Sequence, residues 1–137
     1  MVRSLTADIF RMIRKEPFAD LELIFLDDKA MKIFNKRYAF RDGSTDVLSF
    51  RIERREFGQK RFLGEIIISL DMALRNSKVY GTDFTEEVVL YVIHGILHLF
   101  GYDDGNPRDS REMVRKQNRI LDKLCACRDL SEVLMPL

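Results

Sequence analysis

The chain has 137 residues, of which 46% are hydrophobic and 33% are charged. This length suits one domain with a real core and is too short for two, and the composition is that of a folded rather than a disordered protein. The 23 basic and 22 acidic side chains nearly cancel, which excludes a uniformly basic nucleic-acid binder and requires any RNA or DNA site to be local.

The first part of the chain predicts a helix, a strand and a second helix. Residues 5–15 carry apolar side chains at helical spacing, and Pro17 ends that segment. The side chains expected to face the core are Leu5, Ile9, Met12 and Ile13. Residues 20–26 predict a strand that begins with alternation and ends fully apolar, as in a strand covered on both faces. Asp27 or Asp28 is expected to cap a helix to about residue 39. Its inward-facing residues are predicted to be Met31, Ile33 and Phe34.

The middle of the chain predicts two strands joined by a charged turn. A polar loop over residues 41–45 leads into a strand over residues 47–52, and residues 62–68 form the most apolar strand. A short helix is expected from Asp71 to about Val79, closed near Gly81.

A strongly apolar helix follows. Asp83 and Glu86 have the spacing of a capping box, in which the first residue caps the helix. Nearly every residue from Val88 to Phe100 is apolar, so we expect this helix to be buried on all sides. Gly101 is expected to stop it.

The last helix completes the predicted fold. Asp109 and Glu112 have the same cap spacing and are expected to open a helix to about residue 126. Helices interleaved with strands indicate an α+β fold, with a three- or four-stranded mixed sheet and about five helices, as one domain over residues 1–137.

The N-terminal residues and the cysteines bear on the compartment. Residues 1–17 lack the apolar stretch of a signal peptide, and no window has the roughly 18 apolar residues of a membrane span. The two cysteines, Cys125 and Cys127, are too few for a disulfide framework and are expected to be reduced thiols. We therefore expect a cytoplasmic protein that has no membrane partner.

Both histidines of the chain, His94 and His98, lie on the apolar helix and are four residues apart. Positions i and i+4 face the same side of an α-helix, about one turn apart. Two imidazoles placed in this way can bind one metal ion, which is the arrangement in the H-x-x-x-H part of zinc motifs. The alternative, two histidines that are only packed in a core, is disfavoured because the following residues extend the metal pattern.

An acidic residue is the expected third ligand. Gly101 lets the chain reverse, so Asp104, six residues beyond His98, can return to the metal. This is the ligand spacing of the metzincin pattern H-E-x-x-H-x-x-G-x-x-H, with a carboxylate as ligand three. Two imidazoles and one carboxylate, with a fourth position left to water, predict a catalytic metallohydrolase site, most simply for Zn²⁺. Asp103 stays an alternative, because the two neighbouring side chains should face opposite ways.

Gly95 argues against one class of metallohydrolase. Zincin peptidases place their general-base glutamate directly after the first histidine, and here that residue is glycine. The expected reaction therefore uses the metal-activated water alone or another carboxylate.

Three blocks of sequence carry a resemblance to a known family. They are residues 45–50 (TDVLSF), residues 63–69 (LGEIIIS), and the run from His94 to Asp104 followed by Met113 and Ile120-Leu121. In order and spacing they resemble the YbeY family of bacterial rRNA-maturation metallo-endoribonucleases, over about residues 34–121. The resemblance implies a single-strand-specific, zinc-dependent RNase that acts in 16S rRNA 3′-end maturation and ribosome quality control. It also implies RNA, in the form of an rRNA precursor, and the ribosome's 30S subunit as partners.

The chain departs from the family pattern at three positions. The family usually shows H-G-x-L-H-L-x-G-Y-D-H, with histidine where this chain has Asp104. A carboxylate also binds Zn²⁺, but its charge is expected to make the bound water less acidic and to alter affinity or metal preference. Ala39 replaces a usual arginine, whose space Arg41 is expected to reach, and Arg51 replaces a proline.

Further roles are predicted for charged residues outside the ligand set. Arg41 and Arg51 are the candidates for a cation that faces the phosphorane charge during phosphodiester hydrolysis. Asp46 and Glu65 are expected to support the ligands or handle protons, or else to cap a loop and solvate a strand end. A local basic track for RNA is expected from Arg54, Arg55, Lys60 and Arg61 near the charged turn, and from Arg108, Arg111 and Arg115 on the last helix.

Two other functions stay open. One is another metal-dependent hydrolase, a peptidase or amidase, against which Gly95 argues. The other is a non-catalytic, ribosome-associated RNA-binding protein with a structural metal, for which Asp104 and Ala39 argue.

Overall fold

The computed structural model describes residues 2–13, 20–38, 46–55, 61–127 and 130. The elements in chain order are α1 (Val2–Ile13), β1 (Asp20–Leu26), α2 (Asp28–Tyr38), β2 (Val47–Arg55), β3 (Arg61–Ser69), α3 (Leu70–Tyr80), α4 (Phe84–Leu99) and α5 (Pro107–Cys127). The predicted α+β fold is confirmed, and the described residues form the smaller of the two expected sheets, with three strands. No described helix is long and apolar enough to cross a membrane.

The sheet is mixed and has β3 at its centre. Its strand order is β1-β3-β2, with β1 parallel and β2 antiparallel to β3. The apolar sequence of β3 suits this place, because Ile66, Ile67 and Ile68 are fully buried between the layers. Among the described strands, β1 pairs only with β3, and it is only half-buried along most of its length. The expectation that its apolar end is fully covered is therefore wrong.

The two faces of the sheet carry different helices. α4 packs across β2 and β3 and also contacts α3 and α5, and most of its side chains are buried, as predicted. On the other face, Phe34 of α2 meets Phe50 of β2 edge to face, with ring centroids 5.7 Å apart. Met31 of α2 is fully buried, but Ile33 is 57% exposed, contrary to the prediction. Ile33 is two residues beyond Met31, which corresponds to a rotation of about 200° around the helix axis. Its side chain therefore points away from the buried face on which Met31 lies.

Helix caps explain where the elements begin. Asp27 Oδ1 accepts a hydrogen bond from Ala30 N at 2.8 Å, and Asp83 Oδ2 accepts one from Thr85 N at 3.1 Å, which confirms both predicted caps. The last helix begins earlier than predicted.

Asn106, rather than Asp109, caps α5. The Asn106 side chain accepts from Asp109 N at 2.9 Å. Pro107 occupies the first helical position. The backbone N–H that proline lacks would have no partner within the helix at this position, so no hydrogen bond is lost.

Helix α1 packs against the hydrophobic core next to the C-terminal end of α4. Leu5, Ile9 and Ile13 are buried as predicted, whereas Met12 is only partly buried. Phe10, which the sequence analysis did not select, is 2% exposed and meets Phe100 edge to face at 5.6 Å.

Candidate metal centre

The two histidines lie side by side at the C-terminal end of α4. Their Nε2 atoms are 3.0 Å apart, and the rings meet edge to face with centroids 4.6 Å apart. Both side chains keep about a quarter of their surface exposed, 24% for His94 and 27% for His98. A buried helix therefore presents two imidazole nitrogens at its solvent-facing end.

A glycine turn brings the third candidate ligand back to the histidines. Gly101 has φ +95°, its N–H donates to His98 O at 3.0 Å, and Tyr102 N donates to Leu97 O at 3.0 Å. These two bonds are the Schellman arrangement, which reverses the chain at a left-handed residue. Asp104 follows the turn, and its Oδ2 lies 3.6 Å from His94 Nε2 and 3.7 Å from His98 Nε2.

The other acidic residue of this turn is engaged in the loop itself. Asp103 Oδ1 accepts hydrogen bonds from Asp104 N at 2.7 Å and from Gly105 N at 3.2 Å. The two neighbouring carboxylates thus face different ways, as expected, and the geometry favours Asp104 as the ligand.

The donor set fits a zinc ion in type and in spacing. Ligand atoms about 2.0–2.2 Å from one tetrahedral zinc lie roughly 3.3–3.6 Å from one another. The three separations here are 3.0, 3.6 and 3.7 Å, and ligand atoms of His94, His98 and Asp104 all lie within 4.8 Å of one another. Imidazole nitrogen and carboxylate oxygen are both ordinary zinc donors, so this group can hold the metal.

Gln117 of α5 orients the first histidine. His94 Nδ1 lies 2.9 Å from Gln117 Oε1, and an amide oxygen can only accept. Nδ1 therefore carries the hydrogen, and the lone pair of His94 Nε2 faces Asp104, as a metal ligand requires. Gln117 was not among the residues predicted for this site. Its signal was a polar residue on the same helical stripe as Met113, Ile120 and Leu124, which are buried.

Gly95 lets α4 approach the sheet closely. A Cβ atom at this position would lie 2.6 Å from Ile66 Cγ2 and 3.1 Å from Ser49 Oγ, so the helix backbone rests directly on β2 and β3. Ser49 Oγ donates to Gly95 O at 3.2 Å and fixes this contact. The general-base glutamate of a zincin peptidase has no room here.

Strand β2 forms the opposite wall of a cleft of about 410 Å³ at the metal centre, here called the metal cleft. Asp46, Ser49 and Arg51 line it together with the three ligand residues. The structure thus brings two predicted residues, Asp46 and Arg51, to the ligands. Asp46 also has the capping role considered as its alternative, because its Oδ1 accepts from Val47 N at 2.8 Å.

Glu65 is not brought to the metal cleft. It is opposite Phe50 in the register of β2 and β3, and Phe50 contacts α2. Its neighbour Ile66 faces α4. Because successive side chains of a strand alternate between faces, Glu65 lies on the side of the sheet away from the histidines, and the expected role at the metal does not fit this position.

The remaining predicted residues are placed as follows. Arg41 and Lys60, like Ala39, lie outside the described residues. Arg54 and Arg55 end β2, and Arg61 begins β3. The exposed side of α5 carries Arg108, Arg111 and Arg115.

The α5 arginines do not line the metal cleft. Arg111 and Arg115 are each two residues from buried Met113 and therefore point about 160° away from it, since each residue turns the helix by about 100°. Arg108 lies 3.8 Å from Glu112, with Nε facing Oε1 across one turn.

Comparisons with known proteins find relatives of this chain in sequence and in fold. The family described as Endoribonuclease YbeY matches residues 1–125. A protein named Endoribonuclease YbeY from Staphylococcus epidermidis is 39% identical over 112 residues, which are 77% of this chain and 72% of that protein. One of the same name from Bacillus thuringiensis is 32% identical over 130 residues, 89% of this chain and 83% of the relative. The solution structure of TM1509 from Thermotoga maritima has a TM-score of 0.65 at 26% identity and covers 91% of this chain and 81% of its own.

Proposed function

This chain belongs to the YbeY endoribonuclease family, and from that premise we propose that it is a single-strand-specific, zinc-dependent endoribonuclease with His94, His98 and Asp104 as ligands. The observation that carries the metal part is the convergence of their three ligand atoms within 4.8 Å beside an open cleft. The cellular role we propose is 16S rRNA 3′-end maturation and ribosome quality control in the cytoplasm. Its partners there are an rRNA precursor and the 30S subunit.

The residues around the ligands have distinct tasks in phosphodiester hydrolysis. Zinc at such a centre supplies Lewis acidity, which lowers the pKa of water toward about 7 and polarises a phosphoryl oxygen. Arg51, across the cleft from the ligands, binds the scissile phosphate and stabilises the charge that develops at phosphorus. Asp46 lines the same cleft and accepts the proton that the attacking water loses. Gln117 holds His94 in the tautomer that leaves Nε2 free for the metal.

Two departures from the family pattern meet in this cleft. Asp104, in place of the usual histidine, lowers the positive charge of the loaded centre by one. Arg51, in place of the usual proline, adds one positive charge to the opposite wall. We propose that the charges of Asp104 and Arg51 offset each other, so that the net charge facing the phosphate is close to that of a three-histidine centre. A cycle with Asp104→His, Arg51→Pro and the double variant tests this, because non-additive effects on cleavage are expected only if the residues are coupled.

The peptidase or amidase alternative has little support in the site. Gly95 stands where the peptidase base would be, and a side chain there would collide with Ile66. The non-catalytic alternative is distinguished from the proposed function by measuring bound metal and RNA cleavage on the purified chain.

The deciding experiment combines metal analysis with RNA cleavage on the purified chain. We expect one zinc per chain, cleavage of single-stranded but not duplex RNA, and no peptidase activity. His98→Ala should lose both zinc and cleavage while its circular dichroism spectrum stays that of the parent. The matched control is Cys125→Ser, which removes an exposed potential ligand outside the cleft and should keep both. Undiminished cleavage by His98→Ala would eliminate the metal mechanism.

The cellular part of the proposal needs its own measurement. Depletion of the protein should lead to accumulation of 16S rRNA with an unprocessed 3′ end, and the protein should sediment in part with 30S subunits. Normal 16S 3′ ends after depletion would remove the rRNA role and leave the ribonuclease activity standing.

A further inference from the structure

A second cleft, here called the side cleft, adjoins the metal cleft. Its volume is about 290 Å³, and it shares Asp46, Val47 and His94 with the metal cleft. Its remaining walls come from α3, α4 and α5, and the residues that line it there are Asn76, Tyr80, Glu87, Leu90, Tyr91 and Gln117. Small-molecule sites commonly measure about 300–1,000 Å³, so this space suits one ring system rather than a length of chain.

The charge of the side cleft differs from that of the metal cleft. Among the residues that the structure describes, no lysine or arginine lines the side cleft, whereas two carboxylates, Asp46 and Glu87, do. A phosphate group would be repelled there, whereas in the metal cleft Arg51 and the proposed metal ion offset the carboxylates of Asp46 and Asp104. The side cleft is therefore suited to an uncharged polar group attached to a phosphate bound next door.

An aromatic ring stands at the rim of the side cleft. Tyr80, near the end of α3, is 71% exposed although it lines the cleft. Exposed aromatic rings beside a groove are the usual platforms on which proteins stack unpaired bases.

Two amide groups complete the polar lining. Gln117 uses Oε1 to accept from His94 Nδ1, so its NH₂ group remains as a donor. Asn76 uses Nδ2 to donate to the Tyr91 hydroxyl at 2.6 Å, so its Oδ1 remains as an acceptor. Within the described part of the chain, no hydrogen bond engages these two remaining groups. The side cleft thus holds one donor and one acceptor for the edge of a ring.

We propose that the side cleft is a nucleobase subsite, in which one unpaired base of the RNA stacks on Tyr80 and hydrogen-bonds to Asn76 and Gln117 while the adjoining phosphate lies in the metal cleft. The inference rests on the proposed endoribonuclease function and adds base recognition to it. It also accounts for single-strand specificity, because a base held in a pocket cannot remain paired.

The test uses single-stranded RNA oligonucleotides with one preferred cleavage position, in which each nucleotide next to the cut is made abasic in turn. Removal of one particular base should lower affinity and cleavage rate by about 5- to 150-fold, which corresponds to ~1–3 kcal/mol for one stacked base. Removal of bases two or more positions away should have less effect.

Substitutions assign the effect to the side cleft. Tyr80→Ala should cause a loss similar to that of the abasic RNA, and the two changes together should cost little more than either alone. Tyr80→Phe should retain most of the affinity, because the stacking ring remains. The matched control is Val79→Ala, since Val79 is 73% exposed and lies outside the cleft lining. Asn76→Leu removes the free acceptor and should weaken the discrimination between bases at the sensitive position.

The outcomes separate this inference from the function on which it rests. If the parent protein neither binds nor cuts RNA, the proposed function and the subsite fall together. If the parent cuts RNA normally but abasic substrates and Tyr80→Ala behave like the controls, the subsite alone is overturned. Zinc content should be the same in Tyr80→Ala and in the parent, and a loss of zinc would also count against the proposal.

Discussion

Helices α4 and α5 pack against each other and both reach the metal centre, but they contribute to it in different ways. α4 is buried on nearly all sides and carries two of the proposed ligands directly on its rigid backbone. α5 has one buried and one exposed side. Met113, Ile120 and Leu124 are buried, whereas its arginines lie on the exposed side. It reaches the site through one polar side chain, Gln117. We infer that α4 and the turn after it determine whether metal is held, and that α5 only adjusts how well.

The largest effect should follow a change in the turn after α4. Asp104→Ala removes a proposed direct ligand. The loss in zinc affinity should therefore exceed the roughly 10–100-fold loss that follows removal of a ligand's hydrogen-bond partner. Asp103→Ala is the matched control, because within the described part of the chain Asp103 makes its hydrogen bonds inside the turn and none to the histidines. Zinc titration with a competing chelator measures both. Equal losses in the two variants would mean that the carboxylate ligand has been assigned wrongly.

The next effect concerns the contact between α4 and the sheet. Gly95→Ala introduces a Cβ only 2.6 Å from Ile66 Cγ2. Overpacking costs about 1–3 kcal/mol, and the better helix propensity of alanine returns up to ~1 kcal/mol. We therefore expect a net loss of about 1–2 kcal/mol in the free energy of unfolding, measured by urea denaturation.

A second glycine near the site provides the control. A Cβ at Gly105 would come no nearer than 3.5 Å to any neighbouring atom, so Gly105→Ala should change stability by less than about 0.5 kcal/mol. If Gly95→Ala were as stable as Gly105→Ala, the close approach of α4 to β2 and β3 would not constrain this site.

The contribution of α5 is tested at Gln117. Gln117→Leu removes the acceptor for His94 Nδ1 and should weaken zinc binding by about 10–100-fold. Gln117→Glu keeps an acceptor and should bind zinc at least as well as the parent. Nitrogen NMR of the metal-free protein offers a second measurement, since the leucine variant should lose the fixed tautomer of His94. Asn118→Leu, an exposed neighbour, is the control. A similar affinity in both leucine variants would leave α5 without a role at the metal.

The convergence of His94, His98 and Asp104 was predictable from sequence because its geometry is local. The spacing of His94 and His98 on one helix, and of Gly101 and Asp104 after it, determines where those atoms meet with little help from the rest of the fold. The apolar run of α4 likewise predicted its burial. Both features depend on residues within a few turns of one another.

The features that sequence did not predict depend on distant parts of the chain. Gln117 meets His94 only because α5 packs on α4, across 23 residues of sequence. The face taken by Glu65 depends on which side of β3 is covered by α4, whose Gly95 lies against the neighbouring Ile66. A local alternation pattern cannot identify that side, because it shows only that successive side chains face opposite ways.

A smaller effect is expected at the buried side of α4 in alkaline solution. Burial raises the pKa of Tyr91 to about 12, against an ordinary value of 10.0. The folded protein therefore holds this proton more tightly than the unfolded chain, and stability should fall as pH rises from about 10 to 12. Tyr91→Phe should remove that part of the decline without altering the rest of the profile. Thermal unfolding midpoints between pH 8 and 12 measure it, and identical slopes for parent and variant would contradict the buried phenol.

The smallest effect should come from the exposed side of α5. Arg111 and Arg115 point away from α4 and do not line the metal cleft, whereas Arg51 does. The plot of log affinity against log salt has a negative slope. Removing one residue that contacts phosphate makes this slope less steep by about one. Arg51→Ala should therefore flatten the slope for single-stranded RNA by about that amount. Arg111→Ala with Arg115→Ala should leave the slope nearly unchanged and reduce affinity only slightly at low salt, because the two charges act through the general field of the protein. If the double variant flattened the slope by about two, the RNA would run along α5 itself, and this helix would be a binding surface as well as a support for His94.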